Sequence, residues 1–74
     1  IMRTAQFRKV IVSIETKRGG GYICYAEYKT YTMVGFTNDS TVYDDMSESS
    51  TKKAQNRAAR SVHFYAKQGR KEKN

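Results

Sequence analysis

Side chains able to do covalent or metal chemistry are scarce in these 74 residues: one histidine, His63, one cysteine, Cys24, and seven acids. A nucleophile needs a base beside it and a third group to orient that base. His63 falls deep in a helix-like stretch and Cys24 in the middle of a strand-like one, so both read as structural residues. One Cys with one His supports neither an internal disulfide nor a structural zinc site. Asp39, Asp44, Asp45 and Glu48 lack the spacing and the glycine of a calcium loop, and capping of a helix start accounts for them. The sequence therefore reads as a non-enzyme that uses no metal and no cofactor. Gly19, Gly20 and Gly21 join two strands and open no helix, so they are not a phosphate-binding loop. Their neighbours Lys17 and Arg18 fit either a backbone-phosphate contact or a solvated hairpin tip.

What remains is charge. The chain holds 14 Lys or Arg against seven acids, a formal net charge of +7. Residues 1–49 carry six bases and six acids, whereas residues 50–74 carry eight bases and Glu72 alone, so the whole excess lies in the last third. Charge placed only for solubility would be spread along the chain and mixed in sign. A one-signed stripe instead favours contacts to the phosphates of a polyanion, with an affinity that falls as salt rises. Lys52, Lys53, Arg57 and Arg60 lead the candidates. A membrane surface fits less well, because the face opposite these bases is mostly alanine and too shallow to anchor in lipid. No apolar run approaches the ~18 residues of a membrane span, and the opening residues lack the apolar core of a secretory signal. Ile1 ahead of Met2 reads as a processing remnant. Lone Cys24 suits a reducing compartment. A soluble, cytoplasmic protein is the expectation.

These side chains have to be positioned by one small α+β domain. A chain this short buries only about 60% of its unfolded surface, so its stability rests on a well-packed sheet and helix, on dimerisation or on a partner. Residues 7–16 alternate, with Val10, Val12 and Ile14 on one face and Lys9, Ile11, Ser13 and Glu15 on the other, the pattern of a strand. The glycines supply the positive φ of a tight hairpin. A second strand over 22–31 then sets Tyr22, Cys24, Ala26 and Tyr28 against Ile23, Tyr25, Glu27 and Lys29. Tyrosines at every third residue could mark a helix instead, but such spacing drifts around a helix rather than holding one stripe. A third strand over 32–37 is expected to turn Val34 and Phe36 toward the core. Residues 41–43 fit a short fourth strand or a loop.

The last third predicts one long helix over 47–67, capped by Ser47, with Asp44, Asp45 and Glu48 complementing its dipole. Ala54, Ala58, Val62 and Tyr65 form its apolar stripe, with Thr51 and Ala66 at the margin. The opposite arc carries Lys52, Lys53, Asn56, Arg57, Arg60 and Lys67, with Phe64 among them. Residues 1–6 show no pattern, and the basic tail 68–74 is expected to be disordered. The architecture is therefore a single β-β-β-α domain over 1–67: a three-stranded antiparallel sheet against one long C-terminal helix. On its outward face, Lys9, Tyr25 and Lys29 interleave bases with aromatics beside Ile11, Ile23 and Tyr31. Such a face can stack on bases or enter a groove, or, with Ile11, Ile23 and Met33 too apolar to be left wet, it can close a homodimer. With the helix starting at the glycine-hairpin end, Lys17 and Arg18 would lie near Lys52 and Lys53.

The strand-strand-strand-helix order ending in residues 50–59 (STKKAQNRAA) resembles the last two-thirds of a double-stranded-RNA-binding domain. In that resemblance Lys52 and Lys53 match the basic helix start that straddles phosphates, and Ala54, Ala58 and Ala59 match the spaced alanines. The chain carries no counterpart of that family's first helix or of its Gly-Pro and His loop. Residues 21–25 (GYICY) are similar to the second strand of the arm-site DNA-binding domains of phage-type integrases, which implies a sheet inserted into the major groove. Residues 10–27 followed by a helix resemble HicB-type antitoxins, which implies a protein that binds and blocks a small toxin; the Pro-rich link usual after the second strand is missing. The reading favoured is a non-catalytic nucleic-acid-binding module, for duplex DNA ahead of RNA. Its phosphate contacts come from the helix, with Lys17, Arg18, Lys9, Tyr25 and Lys29 as further candidates. The alternative is a small protein-binding inhibitor or antitoxin-like module that docks through the exposed sheet face.

Overall fold

Strand pairing reaches further along the chain than the alternation of apolar residues indicates. The computed structural model describes residues 1–73, with side chains through residue 69. It opens with β1 (Met2–Phe7), β2 (Val10–Thr16), β3 (Tyr22–Tyr28) and β4 (Tyr31–Thr37). Two helices follow, α1 (Ser40–Asp45) and α2 (Lys52–Gln68), and then a last strand, β5 (Arg70–Lys73). The strands form one antiparallel sheet in chain order, each paired with the next. α2 lies across one face of it, against β3 and β4 most of all. The fold is α+β, and all three expected strands and the long C-terminal helix are present.

The strand beyond these three at the N-terminal side is β1, which has no apolar alternation to announce it. It pairs with β2 from Met2 opposite Glu15 to Phe7 opposite Val10. Arg3 takes the place of an apolar inward residue. Its Nη1 donates to the Tyr43 carbonyl at 2.6 Å, and its guanidinium lies 3.9 Å from the Tyr43 ring centroid. Two-residue turns join β1 to β2 and β3 to β4, and each places a base in the left-handed region: Arg8 at φ 59° and Lys29 at φ 53°. Lys9 and Lys29 consequently sit at hairpin tips rather than on the outward sheet face. The glycine turn behaves as expected, with positive φ at all three glycines and Lys17 N–H donating to the Gly21 carbonyl at 3.0 Å.

β4 faces the other way from the sequence expectation. Met33, Gly35 and Thr37 turn toward the helix, while Phe36 is 59% exposed on the open face beside Val34. Tyr31 shares the parity of Met33 and so leaves the outward face too. The reason is steric. A Cβ built on Gly35 would overlap the Tyr65 carbonyl oxygen and lie 2.6 Å from its carbon. Only a glycine lets α2 rest on β4 at this distance, so the strand is fixed with Gly35 inward, and Val34 and Phe36 follow outward.

Residues 41–43 are helical, not a strand. Asp39 caps α1 by accepting from Thr41 N–H at 3.0 Å, and Val42 and Tyr43 are buried beneath the sheet, Tyr43 stacked on Tyr22 at 4.8 Å. Asp44 and Asp45 end α1 and do not open α2. Thr51 is the cap of α2, its hydroxyl accepting from Ala54 N–H at 3.1 Å. Ser47 instead belongs to the linker, where its carbonyl accepts from the Gln55 amide at 3.1 Å and Ser50 bonds back to Asp44. The tail differs as well: residues 70–73 pair with β4 from Arg70 opposite Val34 to Lys73 opposite Tyr31. Backbone pairing needs no apolar side chain, which is why a polar run can form an edge strand. Asn74 lies outside the described residues.

The core gathers between sheet and helices: Val12 and Ile14 from β2, Cys24 and Ala26 from β3, Met46 after α1, and Ala58, Ala59, Val62 and Ala66 from α2. Four small or β-branched positions on α2 bring its axis close to the sheet. That closeness sets the polar side of the helix at the sheet's edge.

Candidate nucleic-acid interface

The turn after β1 meets α2 at that edge. Gln6, Phe7 and Arg8 from the strand and turn, with Lys53, Asn56, Arg57 and Arg60 from the helix, line an open cleft of about 460 Å³. Its floor is aromatic. The Phe7 ring packs on His63 with centroids 5.3 Å apart, and the Arg8 guanidinium lies 5.2 Å from the Phe7 centroid. Burial, then the charges of Lys67 and Arg8, hold the His63 imidazole below its usual pKa. It is a neutral spacer among cations at neutral pH.

The acids are elsewhere. Asp45 Oδ2 reaches Arg57 Nη2 at 3.6 Å, but the Arg57 side chain keeps 64% of its exposure, so the pair leaves most of the guanidinium open. Exposed pairs of this kind contribute only about 0–1 kcal/mol. Asp44 approaches Arg3 at 4.0 Å. Asp39 is occupied with the cap of α1. Among the described residues Arg8, Lys53 and Arg60 pair with no acid. Four cations flanked by two neutral amide side chains, Gln6 and Asn56, form a lining of donors suited to phosphate oxygens.

The expected residues divide into five groups. Lys53, Arg57 and Arg60 converge in the cleft. Lys52 is exposed on the first turn of α2 but does not line it. Lys17 and Arg18 lie at the far end of β2 from Arg8, about 23 Å away along seven strand residues at about 3.3 Å each. The continuous basic edge expected from Lys17 to Lys53 does not form; Lys17 Nζ sits 5.6 Å from the Phe36 ring centroid instead. Lys9 shares the tip with Arg8, and Lys29 occupies the second tip at the same end of the sheet, its Nζ 5.4 Å from the Tyr28 centroid. Tyr25 is on the open face, donating to Glu15 at 2.5 Å. That bond, with burial and the Glu15 charge, pushes its phenol up to about 12.

In β1 to β4 the open face carries Glu15 and Glu27 and not one Lys or Arg, because Lys9 and Lys29 have moved to the tips. Around Tyr25 the face is therefore carboxylate rather than cation, and Lys17 reaches it only at the Phe36 end. Tyr25 is therefore separated from the cationic cleft in both position and charge.

Arg8 is the site residue that sequence reasoning missed. Its signal was present, since Arg8-Lys9 interrupts the alternation between Phe7 and Val10 as a two-residue turn would. What the pattern lacked was β1, without which there is nothing for the turn to join. Among the described residues no three His, Cys, Asp or Glu side chains gather as metal ligands, and no helix is long and apolar enough to cross a membrane. Compared with protein-family models, with curated proteins and with solved structures, the chain matches none.

Proposed function

We propose that the chain is a small, non-catalytic nucleic-acid-binding module of the cytoplasm that grips duplex DNA, ahead of RNA, through phosphate contacts. Arg8, Lys53, Arg57 and Arg60 make those contacts. One observation carries this reading: four cations from two separate elements converge on one open cleft, and among the described residues only Asp45 approaches any of them. Affinity then comes mainly from release of counterions and carries little sequence preference. The lone thiol supports the reducing compartment.

Fluorescence anisotropy with a random-sequence duplex, titrated in salt, tests it. Each phosphate neutralised contributes about 0.9 to the slope of log K against log salt. Replacing Arg8, Lys53, Arg57 and Arg60 by Ala should flatten that slope by about 3–4, while Lys17→Ala with Arg18→Ala should leave it nearly unchanged. A wild-type protein that binds no duplex at low salt refutes the proposal. A matched RNA duplex in the same titration ranks the two nucleic acids.

A second reading rests on the open sheet face. Met2, Ile11 and Phe36 expose 51, 48 and 59% there, beside Ile23 and Val34 and the two carboxylates. This composition suits a protein partner, in the manner of an inhibitor, or a second copy of the chain. Sedimentation of the pure protein separates the two, since only the latter gives a dimer without additions.

A further inference from the structure

The outward arc of α2 is not made of cations alone. At 3.6 residues per turn, Lys53, Arg57, Arg60, Phe64 and Lys67 fall within an arc of about 80°, with Phe64 about 20° from its centre and about 160° round from Val62. Val62 is fully buried and Phe64 is 56% exposed, so the ring lies on the solvent side of the helix. Isolated exposed apolar residues are common and need no explanation. Here the placement supplies one: the exposed ring sits within the most highly charged arc, one turn from Arg60 and one from Lys67. It is also held in place, edge-on to Tyr65 with centroids 5.6 Å apart and planes at 72°.

Resting on the nucleic-acid reading above, we infer that Phe64 is a base-stacking residue and that the preferred ligand presents an exposed nucleobase face beside a line of phosphates. Lys53 to Lys67 spans about 21 Å at about 1.5 Å per residue. Along a duplex axis that is the rise of roughly six base pairs at about 3.4 Å each. Cations on both sides of the ring hold the backbone while the ring meets a base. A regular duplex hides base faces inside its stack. The exposed face must come from an unpaired nucleotide or from a base step that the ring wedges open, and stacking chemistry is the same in both.

The test compares an intact duplex, the same duplex with a one-nucleotide gap, and a single strand, each against wild type, Phe64→Ala and Phe64→Trp. The chain has no tryptophan, so Phe64→Trp introduces a single reporter whose emission is quenched by a stacked base. Phe64→Ala should weaken the preferred ligand by about tenfold or more, with an unchanged circular dichroism spectrum. A loss confined to gapped and single-stranded DNA assigns the face to an unpaired nucleotide. An equal loss on the intact duplex, with quenching of the reporter, assigns it to an opened base step. Duplex binding that survives Phe64→Ala unchanged on every ligand, with an unquenched reporter, overturns the inference and leaves the phosphate reading standing. Failure of wild type to bind any of the three overturns both.

Discussion

Gly35→Ala puts the architecture to its sharpest test. The new Cβ would overlap the Tyr65 carbonyl oxygen, lie 2.6 Å from its carbon and 3.0 Å from Ala66 Cα. Carbon atoms pack best at about 3.5–4.0 Å, so the last turns of α2 have to retreat by about 1 Å. A gap of that size forfeits roughly a quarter to a half of the dispersion energy of each contact it opens. The contacts at stake are those of Ala66 and Val62, both fully buried. Overpacking costs about 1–3 kcal/mol and sometimes more, and a clash with main chain on both sides belongs at the upper end. For a domain of this size about 3 kcal/mol corresponds to a fall in Tm of roughly 12–24 °C. Against a total stability of about 4–11 kcal/mol, that is a large share. Gly69 meets the same contact from the other side, since a Cβ there would overlap the Val34 carbonyl oxygen and lie 2.7 Å from its carbon. One retreat of the helix relieves both clashes. The double variant should therefore lose clearly less than the sum of the singles. Thermal and urea melts followed by far-ultraviolet circular dichroism give all three values. A Gly35→Ala protein melting within about 4 °C of wild type would refute the close approach of helix and sheet, and with it the account of why Phe36 faces outward.

Arg8→Gly should move stability and binding in opposite directions. Relief of the left-handed backbone raises stability by up to about 1 kcal/mol, read as Tm, while duplex affinity falls through loss of a cleft cation. The Cys24 thiol is fully buried and pushed up to about 11 by that burial. Native protein at pH about 8 should accordingly resist a thiol reagent until it is unfolded in guanidinium; labelling at the rate of a free thiol would refute the core placement. His63 is held below its ordinary value near 6.5 by burial, Lys67 and Arg8. The unfolded chain thus binds the proton more readily. Its stabilising contribution is complete above the unfolded value and is lost as pH falls below it. Wild type should lose more Tm between pH about 7 and 5 than His63→Gln, and parallel curves would count against the placement of the imidazole among those cations.

Several residues announced their place in the sequence. Val12 and Ile14 alternate cleanly, and Cys24 and Ala26 do the same across the glycine hairpin, so β2 and β3 and their inward faces could be read directly. Of the stripe expected on α2, Ala58 and Val62 are buried while Ala54 and Tyr65 are half-buried and the buried face swings toward Ala59 and Ala66; the opposite arc gave Lys53, Arg57 and Arg60. Residues 2–7 and 70–73 gave no such sign, because an edge strand is held by backbone hydrogen bonds that any residue type can make. The start of α2 lies beyond the cap expected at Ser47, because the Thr51 hydroxyl takes the Ala54 N–H while the Ser47 carbonyl is held by Gln55 in the linker after α1.

By itself the sequence determined the fold class, the inward faces of two strands and the cationic arc of the helix, because periodicity and charge are local properties of a chain. Tertiary structure alone decided that Arg8 joins that arc, that Lys17 and Arg18 do not, and that β4 turns Gly35 inward. Those outcomes depend on which turn meets which helix and on how closely two backbones can approach. Such distances belong to the packed molecule and to no stretch of it taken alone.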